Sequence, residues 1–320
     1  MRHHFYAAIV AACFSVLPAC NMNRLIMARA VEAQVAFFHH EASDTGLERL
    51  APQVYTFAFE SDRGIVVVTS EGLVVSDTFN QRYVDALLGA LEAEGVEARV
   101  NTIIYSHHHL DHVGGGRSLE APHVLAHRDV PRYWANANAS DAAAPTQFTD
   151  GTQTIEIGGV RFELIDTSDA HSETLLALYL PESRILYAPD TLTPGVFQLG
   201  WTPEVPIDGY LRTIDTLAQL PFETFVASHM GYAQRAGFQK TVEMQRDVVE
   251  TAKRLFDARD ISNVYLHYDA KIAPDGFLEF YDELHARYGD WHGFDQNILP
   301  IFIRLYTTEL LGDVLPEQST

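Results

Sequence analysis

Apolar residues alternate with polar ones along Val54–Phe59, Gly64–Thr69 and Leu73–Ser76, the two-residue period of half-buried strands. Ser61-Asp62-Arg63 and Glu71-Gly72 separate these runs, and the second pair is a hairpin signal. The period then changes. Val84, Leu87, Leu88 and Leu91 recur at helical spacing over Gln81–Glu94, and Gly95 stops the helix. Val100–Tyr105 and Ala121–Ala126 read as buried strands, with a helix around Val130–Asn138 after the second. Asn136–Pro145, rich in Ala and Asn, reads as a loop. Further strands are expected at Gln153–Ile157 and Val160–Ile165, turned by Gly158-Gly159, then at Thr174–Leu180, Arg184–Tyr187 and Thr224–Ala227. Pro189–Pro206 is a long Pro/Gly-rich loop and Ile207–Gln219 a helix. From about Ala233 the pattern is mainly helical and aromatic.

This order fits two mixed β-sheets covered by helices better than one doubly wound sheet, although pattern alone does not decide. The expected organisation is a leader over 1–20, an amphipathic helical spacer over 21–50, a catalytic domain over 51–232 and a helical C-terminal extension over 233–320. The extension reads as a cap, a homodimer face or a substrate lid; its His267, His285 and His292 lack metal-like spacing.

The start of the chain has the form of a targeting segment. Arg2, His3 and His4 precede the apolar run Phe5–Leu17, too short to span a bilayer comfortably. Leu17-Pro18-Ala19-Cys20 resembles a bacterial lipoprotein box, which would leave a lipid anchor on Cys20. Cleavage after Ala28-Arg29-Ala30 is the other export route; a start at Met22 or Met27 would leave a cytoplasmic protein. The expectation is a periplasmic or membrane-anchored protein.

Composition narrows the chemistry. Of 320 residues, 43 are Asp or Glu and 22 are Lys or Arg, so the formal charge is −21. Such a surface repels nucleic-acid phosphates and points to small-molecule substrates. Cys13 and Cys20 are the only cysteines, so the rest of the chain offers no disulfide, thiolate ligand or thiol nucleophile.

Residues 106–116 read Ser-His-His-His-Leu-Asp-His-Val-Gly-Gly-Gly, directly after a hydrophobic strand. Strand ends are where sites form in α/β proteins. His107 and His109 share one side of an extended stretch. Asp111 and His112 follow at a turn, and Gly114, Gly115 and Gly116 permit close backbone approach. Imidazole and carboxylate donors suit Zn²⁺, and also iron or manganese. Downstream, His171, Asp190 and His229 each follow a strand, which places all four groups along one edge.

H-x-H-x-D-H, then a lone His, a lone Asp and a last His, resembles the metallo-β-lactamase fold superfamily over roughly residues 52–232. The resemblance implies a four-layer αββα sandwich with two metal ions along one edge. His107, His109 and His171 would hold the first ion, Asp111, His112 and His229 the second, and Asp190 would bridge them. His108 and Leu110 occupy variable positions and should point away. Asp77 matches an acidic position that supports the ligands from behind.

Two cations about 3.5–4 Å apart can share a water and bring its pKa towards neutrality, giving a bridging hydroxide that attacks an acyl bond. Asp111 would hold that nucleophile and pass a proton to the leaving atom. An ester, lactone, thioester or β-lactam-like amide is the expected target. Asp190 resembles the aspartate-bridged branches, such as glyoxalase II thioesterases and lactonases, rather than the true β-lactamases. The lactonase tyrosine after the bridging Asp is absent here; Thr191, Leu192 and Thr193 follow, and Tyr187 and Tyr232 read as core or rim residues. The rival reading is a mononuclear iron oxidoreductase of the persulfide dioxygenase type on the same fold.

Overall fold

The computed structural model describes residues 45–135, 137–199, 205–257 and 272–305. All of these fall in one compact unit, Glu41–Thr320. The leader with Cys13 and Cys20, the starts at Met22 and Met27, most of the spacer, Trp201, Tyr265, His267 and Tyr268 lie outside the described residues.

The first sheet runs in sequence order. β1 (Gly46–Ala51), β2 (Val54–Phe59), β3 (Asp62–Thr69) and β4 (Gly72–Ser76) form an antiparallel meander. β5 (Val100–Ile104), β6 (His123–His127) and β7 (Gln147–Thr149) then add in parallel. The second sheet, ordered β13-β12-β11-β10-β9-β8, is made of β8 (Gln153–Ile157), β9 (Val160–Asp166), β10 (Leu176–Leu180), β11 (Ile185–Tyr187), β12 (Thr224–Val226) and β13 (Tyr232–Gln234). Its one parallel pair is β11 with β12. Both sheets are mixed, as the pattern predicts.

Alternation sorts the strand residues into layers. Ile65 and Val67 face Leu164, Leu178, Leu180 and Val226 between the sheets. Val66 and Val75 point outward to Tyr83, Leu87 and Leu91 of helix α1 (Gln81–Ala93), whose first turn is capped by Asn80 Oδ1 accepting from Tyr83 N at 3.0 Å. Two short helices, α2 (Leu110–Val113) and α3 (Val130–Trp134), lie in the connections that follow β5 and β6. On the far side, Ala177 and Tyr179 pack under α4 (Ile207–Gln219) and α5 (Arg235–Asp257). The same apolar cluster takes in α6 (Ile272–Tyr288) and α7 (Phe294–Leu305), so the C-terminal helices share a core with the second sheet. The result is a four-layer αββα sandwich.

One expectation is corrected. Residues 46–50 belong to a strand, β1, and not to a helical spacer; Gly46 to Arg49 pair with Ala58 to Tyr55. Leu47 and Leu50 stand three apart, which on a helix is one face. On a strand the same spacing sends them to opposite faces, and here Leu47 joins the α1 side while Leu50 joins the layer between the sheets. Both faces of this edge are covered, so a helical spacing serves a strand.

Leu178 is the test of the inter-sheet layer, being 1% exposed. Leu178→Ala is expected to cost about 2–5 kcal/mol in denaturant unfolding, whereas Leu278→Ala, at an exposed position of α6, should stay within about 0.5 kcal/mol.

Candidate metal centre

Every candidate ligand stands just beyond the C-terminal end of a strand, at one edge of the sandwich. β5 leads into His107, His109, Asp111 and His112; β9 into His171; β11 into Asp190; β12 into His229. Asp77 follows β4. His109 immediately precedes α2, whose four residues include Asp111 and His112. The glycines after it let this turn press on its neighbour. A Cβ on Gly114 would lie 2.5 Å from Phe79 O; Gly115 has φ +73° and would place a Cβ 2.8 Å from Asn80 O. The contact is fixed by Thr78 N and Phe79 N, which both donate to His112 O, at 3.1 and 3.0 Å.

The structure brings these side chains into two groups. His107, His109, His171 and Asp190 each offer a ligand atom within 4.8 Å of the others, and so do Asp111, His112 and His229. Asp190 touches both. Its Oδ2 lies 3.1 Å from His112 Nε2, 3.2 Å from His171 Nε2 and 3.5 Å from His107 Nε2, and its Oδ1 lies 3.3 Å from His229 Nε2. Asp190 has φ +54°, a left-handed conformation uncommon for a residue with a side chain. Ser228 holds it there: its Oγ donates to Asp190 Oδ1 at 2.5 Å and accepts from Asp190 N at 3.1 Å.

Behind the ligands, Asp77 is fully buried. Its Oδ1 accepts from Ser106 N at 2.8 Å, and its Oδ2 contacts Ser106 Oγ at 2.6 Å, His112 Nδ1 at 3.0 Å and Tyr187 OH at 3.3 Å. Tyr187 is thus a buried partner of Asp77. Tyr232 lies at the rim, donating to Glu48 Oε2 at 2.8 Å. His108 turns away, stacked on Tyr133 with 3.8 Å between ring centroids and bonded through Nδ1 to Thr174 Oγ1 at 2.9 Å. Leu110 is exposed to solvent. Phe197, in the Pro189–Pro206 loop, packs its ring 4.6 Å from that of Phe294 between centroids. Ser106, Ser228 and Asp62 were not foreseen as part of the site; the two serines each directly precede a ligand histidine, which is the signal they offered.

His107 Nε2 and His112 Nε2 are buried and complete no hydrogen bond of good geometry. Buried polar atoms left this way are costly, and a cation between them removes the cost. The donor set of imidazole nitrogen and carboxylate oxygen fits Zn²⁺, iron or manganese.

Electrostatics separate the histidines. Burial, reinforced by neighbouring imidazoles, holds His107 well below its ordinary value and His109 at about 4. Burial also opposes charge on His112 and His229, but Asp190, with Asp77 and Asp62, outweighs it: His112 is carried well above its ordinary value and His229 to about 9. Asp190 in turn is held well below the carboxylate range against its burial, by His112 and His229.

In the metal-free protein, His229 has a folded value above its unfolded value of about 6.5, so its stabilisation is full below that pH and lost as pH rises through about 9. His109 has the opposite sign, its stabilisation being lost as pH falls from about 6.5 through about 4. The melting temperature of chelated protein should therefore fall between pH 6.5 and pH 9.5, and less so in metal-loaded protein, whose histidines are already deprotonated. Chelated protein that melts higher at pH 9.5 would contradict the assignment.

A model of the metallo-beta-lactamase superfamily matches residues 64–229, just over half of the chain. The alpha subunit of 2,4-dinitroanisole O-demethylase from Nocardioides sp. (strain JS1661) is 30% identical over 199 residues, 59% of this chain and 56% of that protein. A hydroxyacylglutathione hydrolase from Rhodopseudomonas palustris (strain HaA2) is 33% identical over 106 residues, 33% of this chain and 38% of that protein. The chain thus spans about half, or less, of the length of these two relatives. Among solved structures, a metallo-beta-lactamase from Pontibacter korlensis aligns with TM-score 0.54 at 19% identity, covering 63% of this chain and 99% of the other, a likeness of fold. By its family match, and in keeping with its fold, the chain belongs to the metallo-β-lactamase superfamily.

Proposed function

We propose that the protein is a dinuclear metallohydrolase, with zinc as its ion, that cleaves an acyl bond (ester, lactone, thioester or β-lactam-like amide) of a small substrate. The observation that carries this reading is the position of Asp190, whose two carboxylate oxygens face histidines of both ligand groups. His107, His109 and His171 complete one half, and Asp111, His112 and His229 the other. Two divalent cations held there would supply Lewis acidity and lower the pKa of a water molecule towards neutrality.

The chain's own residues do the rest. Asp111 reaches the open edge with a side chain 70% exposed, where it can hold a reacting water and hand a proton to the leaving atom. Asp77 keeps His112 oriented through Nδ1. No thiol exists beyond Cys20, so a covalent cysteine intermediate has no residue to form on. The charge of −21 disfavours polyanionic substrates. The hydrolase name of one relative supports an acyl substrate; the demethylase name of the other adds an aryl methyl ether to the compounds worth testing. A complete second half of ligands weighs against the mononuclear iron oxidoreductase.

Purified protein should contain two zinc ions per chain and hydrolyse at least one member of a panel of ester, lactone, thioester and β-lactam substrates. Chelation should abolish turnover and zinc restore it. Asp111→Asn should lower kcat/KM by about 10²–10⁴-fold. Unchanged hydrolysis in that variant, or one iron per chain with oxygen consumption, would sink the proposal.

A further inference from the structure

His108 is the middle residue of His107-His108-His109 and belongs to neither ligand group. Its side chain meets residues from two other parts of the fold. One is α3: the Tyr133 ring stacks on His108, and Trp134 Nε1 donates to His108 O at 2.8 Å. The other is Thr174, which is fully buried. Thr174 Oγ1 accepts from His108 N at 3.0 Å and lies 2.9 Å from His108 Nδ1.

Thr174 stands three residues after His171, in the connection that runs from that ligand into β10. One buried hydroxyl thus ties the ligand loop of the first sheet, between His107 and His109, to the ligand loop of the second. Two further contacts brace the joint. Leu176 N donates to Ser106 O at 2.8 Å, and Arg132 Nη2 of α3 donates to Glu173 Oε2 at 2.9 Å, a carboxylate that Tyr133 OH also contacts. Across the joint, His109 Nδ1 lies 3.2 Å from His171 Nε2. That is close to the roughly 3.3 Å between two nitrogens bound about 2.0–2.1 Å from a tetrahedral zinc ion. Ligands carried on loops of different sheets keep such a spacing only when the residues behind them are locked. Removing the hydroxyl would leave the His108 N–H without its acceptor and release the loop that carries His109.

We propose that Thr174 is a positioning residue: by holding His108 it sets His109 against His171, and so strengthens the grip of the His107, His109 and His171 group on a metal ion. The inference rests on the reading of that group as a metal site and goes beyond it, because it assigns the side chain that fixes the site's geometry.

The test compares Thr174→Val, which keeps the shape and removes the hydroxyl, with Thr174→Ser, which keeps the hydroxyl. Both are made in full-length protein carrying His229→Ala, so that metal binding reports the first group. Zn²⁺ affinity is measured by competition with a chelator, ligand geometry by the visible absorption of Co²⁺-loaded protein, and folding by the unfolding midpoint of chelated protein. Thr174→Val should weaken Zn²⁺ binding by about 10–100-fold and change the Co²⁺ spectrum, and Thr174→Ser should restore both. A lowered unfolding midpoint with both metal readouts unmoved would mark a purely structural residue and overturn the inference. So would a Thr174→Ser variant that behaves like Thr174→Val. Should Thr174→Val fail to fold, His108→Phe decides, because it keeps a ring against Tyr133 and removes Nδ1; unmoved metal readouts there overturn the inference. Wild type that binds a single ion would overturn the dinuclear reading alone, and the Thr174 comparison would still decide this one.

Discussion

A single part-buried carboxylate organises the ligand-bearing edge of this molecule. Asp190 is placed where four imidazoles converge, its backbone bent into a left-handed conformation and its side chain held by Ser228. An isolated charge in that position would be prohibitively costly. It is tolerated because His112 and His229 supply positive character in the metal-free protein, and because the same geometry suits cations. The histidines in turn depend on Asp190: His112 and His229 keep proton affinity despite burial, whereas His107 and His109 lose it to burial and to the other imidazoles around them.

Much of this was legible in the sequence. Alternation along Val54–Ser76 gives the meander, the Val84–Leu91 spacing gives α1, and each ligand group follows an apolar strand. What escaped was set by tertiary partners. Leu47 and Leu50 fit a helix or a doubly covered edge strand equally well, and only the presence of β2 beside them decides. Asp62 looked like turn punctuation, because its meaning comes from a loop more than 160 residues away that the β2–β3 turn reaches only after both sheets are assembled. Ser106 and Ser228 are small polar residues beside histidines, and sequence does not show which way their hydroxyls point.

The loop after Asp190 illustrates the same limit. Its Pro/Gly content marks it as irregular, and Phe197 within it could serve a pocket or a core. Phe197 N donates to His292 O at 2.9 Å and Asn297 Nδ2 donates to Phe197 O at 3.0 Å, which turns the ring inward onto α7. The C-terminal helices therefore anchor the loop that leaves the metal centre.

The ligands are drawn from both sheets: His107, His109, Asp111 and His112 from the first, His171, Asp190 and His229 from the second. Each group mixes the two sources, so an ion bound in either one is a cross-link between the layers. Beyond Cys20 the chain has no cysteine with which to make a covalent one. Metal bound there would act as the clasp of the sandwich, with a grip that scales with the free concentration of metal around it. Where metal is scarce, the sandwich would open first along the edge that carries these ligands.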